Sequence, residues 1–263
     1  MTAIRIGVVA GIPIFVSPWF ALVLVWATWV APSAAIGVLW SIALFMSLIV
    51  HELGHGLVAR HFKLRPQVLL HAWGGLCAHE RASRPRDAAL IIIAGPGAGF
   101  VFGGLVFALT RATERVAPAV AASPVFEPMA QFLLFINLVW GFVNLLPIWP
   151  LDGGQLLRLG LMRITTPLRA ERISASIGLA LSLAGVAAGL ALNLGPILLI
   201  LAMMFAWQNY LILRGAMSTG PVYKRNPVQN ERLASARRAF AEGDYETSAR
   251  LCHQLRAEPN IPE

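Results

Sequence analysis

The chain reads as an all-α polytopic membrane protein of about six transmembrane helices, with short membrane-associated β segments and a helical hairpin at its C-terminal end. Two observations predict this class. Of the 263 residues, 57% are hydrophobic and only 13% are charged, against about 25% charged in an ordinary soluble domain. The charges also come in blocks: residues 6–51, 88–110, 128–151 and 173–213 contain no Asp, Glu, Lys or Arg. Each block exceeds the ~20 apolar residues that cross a bilayer as a helix.

The first block breaks near Pro32-Ser33 and the last near Asn193-Leu194-Gly195-Pro196, so each holds two spans. The expected spans are 16–31, 37–59, 88–110, 128–149, 173–191 and 196–213. An even number of crossings puts both termini on one side. Nineteen of the 21 Lys and Arg fall in the N-terminus, the 60–86 and 158–172 connections and the tail, all on that same side. The positive-inside rule makes it the cytoplasmic side, and the expected location is a bacterial or archaeal cell membrane. Orientation and anionic lipid then account for the net charge of +8, and no nucleic-acid partner is expected. The N-terminus runs into a full-length span without a small-residue cleavage pattern, so no removable signal peptide is expected. Cys77 and Cys252 fall on the reducing side, where no disulfide is expected.

Residues 4–15 carry β-branched residues and glycines, and are expected to form a short strand or hairpin against the membrane. Residues 62–82 are too short and too charged to span, and suggest short strands around a turn. The expected division is a membrane domain, 1–215, a linker, 216–228, and a cytoplasmic hairpin, 229–263. Within the last, 229–257 reads as two amphipathic helices joined at Gly243-Asp244, like one tetratricopeptide hairpin. A single such repeat cannot bury its own apolar face, so it needs a surface or a protein partner to dock on.

The chemistry-bearing signal is His51-Glu52-Leu53-Gly54-His55 at the cytoplasmic end of the second span. Positions i and i+4 share a helix face, so two imidazoles can grip one metal ion while Glu52 leans toward a metal-bound water as general base. A bare HExxH occurs by chance in many proteins. Here Glu52 and two histidines sit in a bilayer helix, where ionisable residues are costly and mark function. Zinc catalysis needs a third protein ligand and an open fourth position. The candidate is Asp152 in Asn144-Leu145-Leu146-Pro147-Ile148-Trp149-Pro150-Leu151-Asp152-Gly153-Gly154, where two prolines interrupt a span and glycines permit tight turns. The bland alternative is an ordinary helix end with Asp152 at the interface.

HELGH followed about a hundred residues later by NLLPIWPLDGG resembles the site-2 protease family of intramembrane zinc metalloproteases. The resemblance covers His51 to Gly154. It implies that His51, His55 and Asp152 hold zinc, that Glu52 is the catalytic base, and that Asn144 holds the substrate or polarises its carbonyl. It also implies that the Gly74-Gly75 segment belongs to a membrane-associated strand region that pairs with an unwound transmembrane substrate. The stretch Ile93–Gly99 looks like the family's Gly-Pro element, with Gly99 where relatives often carry Asn; close helix packing through small residues is the reading for it here. His61, His71, His79 and His253 lack ligand spacing, and Asn137 and Gln131 read as interhelical hydrogen-bonders. Two readings compete with a protease. An ion or metal transporter would show internal repeats and polar residues shared among several spans, whereas these concentrate in two motifs. A non-catalytic scaffold has no support, because every residue needed for hydrolysis is present.

Overall fold

Lipid offers the backbone no hydrogen-bond partners, so the uncharged blocks must satisfy their own amides, and helices do so. A computed structural model describes residues 3–215 and, beyond them, 231, 235, 236, 238, 239, 242 and 244–257. The first block gives a 3-10 turn, Pro18–Phe20, that runs into α1 (Ala21–Trp29), followed by α2 (Ala34–His61). Ser33 starts α2 by accepting the Ile36 amide on its hydroxyl. Next come α3 (Pro85–Val116), a single turn α4 (Pro118–Ala121), and α5 (Phe126–Leu134). A π turn, Phe135–Val139, joins α5 to α6 (Trp140–Asn144); α7 (Asp152–Leu161), α8 (Pro167–Ala191) and α9 (Pro196–Leu213) complete the membrane part.

Four of these segments are long and apolar enough to cross a membrane: α2, α3, Phe126–Asn144 and α8. The first and last expected spans appear as shorter apolar helices, Pro18–Trp29 and Leu198–Leu213. Pro18–Trp29 reaches only about 18 Å at 1.5 Å per residue. The fourth expected span stops at Asn144 rather than 149, because Pro147 and Pro150 hold 145–151 out of helical conformation. In the π turn, Asn137 is buried and donates to Ser47 Oγ on α2 at 2.9 Å, the interhelical bond its sequence position suggests. Gln131 instead donates within its own helix, to Glu127.

The β segments form one four-stranded sheet in the order β1 (Ile4–Val9), β2 (Ile12–Val16), β3 (Gln67–His71), β4 (Gly74–Ala78). The outer pairs are antiparallel hairpins and β2 runs parallel to β3, pairing Ile14 with Val68 and Val16 with Leu70. The sequence suggested two separate local pieces; the parallel pairing unites them, and the chain is mostly helical rather than all-α. One face of the sheet packs on α2: Ile12, Ile14, Val68 and Leu70 are buried with Phe20 and Ile49. That contact sets β4 beside the HExxH turn of α2.

The chain divides into two compact units, Met1–Arg214 and Gly215–Glu263. In the second, α10 (Tyr245–Ala257) begins at Asp244, whose Oδ1 accepts the Thr247 amide at 3.0 Å. The expected linker 216–228 and much of the first hairpin helix lie outside the described residues.

Candidate metal centre

His51 and His55 lie one helical turn apart on α2, and their Nε2 atoms stand 3.2 Å apart. The His55 ring lies over α3 and donates from Nδ1 to the Ile91 carbonyl at 2.7 Å. That bond commits the proton to Nδ1 and leaves the Nε2 lone pair free for a metal. Gly95 makes the approach possible, since a Cβ there would overlap the imidazole.

Asp152 arrives from the other motif. It is the first residue of α7, where the unpaired amides and the positive end of the helix dipole favour a carboxylate. Its Oδ2 is 3.2 Å from His51 Nε2 and 3.5 Å from His55 Nε2. Zinc bonds of about 2.0–2.1 Å put neighbouring ligands of a tetrahedron about 3.3 Å apart. The three separations match that edge length, so His51, His55 and Asp152 are positioned to bind a metal, and two imidazoles with one carboxylate suit zinc. They form the only such group among the described residues. Gly153 and Gly154 serve close packing rather than the tight turn read from the sequence. Both sit inside α7, where Cβ atoms would overlap the Leu145 and Ile148 carbonyls.

Glu52 is buried, lies outside the ligand group, and has the Cys77 backbone of β4 beside its carboxylate. Gly75 on the same strand lies against its carboxylate, at a spot where any side chain would displace it. Gly74 has φ +116°, a conformation open to glycine, at the start of this edge strand. Burial, then the nearby Glu52 charge, pushes the Cys77 thiol up to about 12, so it stays protonated and is no thiolate ligand. His61 packs on Phe62, His71 accepts the Trp73 amide, and His79 bonds the Glu80 carbonyl, all apart from the centre.

Asn144, the last residue of α6, donates from Nδ2 to Asp152 Oδ2 at 2.6 Å and lies 3.3 Å from His51 Nε2. Sequence reasoning gave it no ligand contact. Close packing through the Ile93–Gly99 stretch is what Gly95 provides, though the sequence did not show that His55 is what it packs against; it missed Ile91, beside that run, and Asn209, a polar residue in an uncharged block. Asn209 on α9 donates to the Trp149 carbonyl at 2.8 Å.

Residues 39–118 and 116–185 match the sequence pattern of Peptidase family M50. The chain belongs to that family. Among relatives, a zinc metalloprotease of Methanocaldococcus jannaschii is 32% identical over 213 residues, covering 78% of this chain and 58% of its own length. A Mycobacterium tuberculosis protein named as a zinc metalloprotease, Rip3, is 35% identical over 216 residues, covering 71% of this chain and 53% of its own. The chain therefore spans a little over half the length of these relatives. The solved site-2 protease from M. jannaschii is 26% identical, superposes with a TM-score of 0.59, and covers 85% of this chain and all of the solved one. Both family motifs fall where the structure brings ligands together, and the four apolar helices make the chain a membrane protein.

Proposed function

We propose that the chain is an intramembrane zinc metalloprotease that hydrolyses a peptide bond within or near the transmembrane segment of a membrane-protein substrate. The observation that carries this reading is the tetrahedral spacing of His51, His55 and Asp152, built partly on a membrane-crossing helix, with the Glu52 carboxylate beside it. Zinc bound there would supply Lewis acidity to the scissile carbonyl and acidify a water. Glu52 takes the proton of the attacking water on its carboxylate and returns it to the leaving nitrogen, completing hydrolysis to two peptides. Asn144 presents an amide N–H where the substrate carbonyl develops charge, and steadies the Asp152 carboxylate as well. A substrate helix hides its amides, so it has to unwind, and the free edge of β4 at Gly74 and Gly75 offers an extended segment a hydrogen-bonding partner next to Glu52.

The same reading takes six crossings, with the two shorter apolar helices completing the count, and puts the basic connections and both termini in the cytoplasm facing anionic lipid. After a linker, 216–228, residues 229–263 are read as a cytoplasmic module, a tetratricopeptide-like hairpin that docks on a protein surface. A transporter or passive scaffold has no observation in its favour. The test is co-expression with tagged single-span proteins, scoring fragments and zinc content together. Glu52→Gln should keep zinc and lose cleavage by about 10²–10⁴-fold; Asp152→Ala should lose both. Near wild-type cleavage by Glu52→Gln would end the proposal.

A further inference from the structure

Asn209 is 0% exposed, in a 41-residue block without a single charge. Its Nδ2 donates to the Phe205 carbonyl one turn back on α9 and to the Trp149 carbonyl, each at 2.8 Å. Its Oδ1 has no hydrogen-bond partner and lies against Gly178 of α8, where a Cβ would overlap it. A buried amide oxygen left unpaired is a cost that an apolar side chain of similar size would avoid. The residue is therefore explained by its donor, and the donor reaches a particular place.

Trp149 stands three residues before Asp152, in the non-helical turn 145–151. Pro150 has no N–H, so this turn cannot be stiffened by a continuous helical ladder. Helix α9 grips it from behind at two levels: Phe205 packs on Ile148 and Leu151, and Asn209 holds the carbonyl between them. The apolar contact fixes the distance between α9 and the turn. The hydrogen bond fixes the turn's rotation, and so the direction in which Asp152 leaves Leu151.

We propose that Asn209 is a positioning residue for Asp152, holding the Trp149 carbonyl so that the carboxylate meets His51 and His55 at metal-binding distance. It touches neither substrate nor metal and acts only through the turn. The proposal rests on the zinc-protease reading, and its test separates the two. Zinc affinity is measured by chelator competition on folded, detergent-purified full-length protein, alongside the melting temperature of the zinc-stripped form. Asn209→Leu keeps the volume and removes the donor. Ser182→Ala is the control: Ser182 is also a buried polar residue of the α8 helix, bonded to the Gly178 carbonyl at 2.7 Å, and does not touch the turn. Asn209→Leu should weaken zinc binding about 10- to 100-fold, the usual effect of removing a group that orients a ligand. Ser182→Ala should leave affinity within about two-fold of wild type, whatever either change does to melting. If Asn209→Leu does not fold, Asn209→Ser replaces it, because its shorter hydroxyl falls back on the Phe205 carbonyl and leaves Trp149 unbound. Unchanged affinity in the folded Asn209 variant, or an equal loss in Ser182→Ala, overturns the role given to Asn209. Absence of zinc binding in the wild type overturns the zinc-protease reading, and this proposal with it.

Discussion

Asn144 and Asp152 are joined by a 2.6 Å hydrogen bond from the amide Nδ2 to the carboxylate Oδ2 that faces both histidines. They stand eight positions apart in the chain, across the proline-containing turn. Removing the amide therefore disturbs a metal ligand as well as any substrate contact. Asn144→Ala should weaken zinc binding by about 10-fold or more, and its cleavage at saturating zinc should still fall, by the ~2–4 kcal/mol typical of a lost transition-state donor. Chelator competition and fragment yield on one preparation separate the two losses. Unchanged zinc affinity would confine Asn144 to the substrate.

Gly95 is the floor on which the His55 ring rests. Gly95→Ala adds one methyl where the imidazole lies, so the ring must move and its bond to the Ile91 carbonyl must lengthen. Overpacking of this kind costs about 1–3 kcal/mol. The variant should melt lower and hold zinc less tightly. Gly97→Ala, where a Cβ meets nothing within 4 Å, should match wild type in both measurements. Equal behaviour of the two variants would show that α2 and α3 relax freely at this contact.

Cys77 should be unreactive. Its thiol is pushed up to about 12 by burial first and the Glu52 charge second. A raised thiol pKa lowers the thiolate fraction at every pH below it. Between pH 7 and 9 alkylation in a Cys252→Ser background should run on the order of 10³-fold slower than for a free thiol, and should keep accelerating with pH past 9. Glu52→Gln removes the neighbouring negative charge and should speed the reaction. A rate that levels off near pH 9 would mean that Cys77 is open to water and that β4 does not seal Glu52.

The two motifs were legible because their information is local. Helical spacing alone places His51 and His55 on one face, and the cost of Glu52 in an apolar segment marks it as functional before any fold is known. The break before Asp152 is equally plain, since Pro147 and Pro150 cannot continue a helix. The resemblance to a protease family rests on those same residues. The roles of Asn144, Gly95 and Asn209 were less legible: an Asn near a span end and a glycine in a helix have many ordinary uses, and which one applies depends on the surface facing it.

The sequence by itself determined that this chain enters a membrane, which stretches of it are helical, and that His51 and His55 share one helix face; Asp152 as the third ligand came from the family resemblance. The first three follow from solvation cost and short-range periodicity, both written along the chain. Only the tertiary structure decided that β2 pairs parallel with β3, that β4 thereby lies against Glu52, and that α3 and α9 brace His55 and the turn before Asp152. Those arrangements depend on which surfaces meet across 25 to 60 residues of chain. Packing and hydrogen bonding select among such meetings only after the helices exist, so no local pattern records the choice.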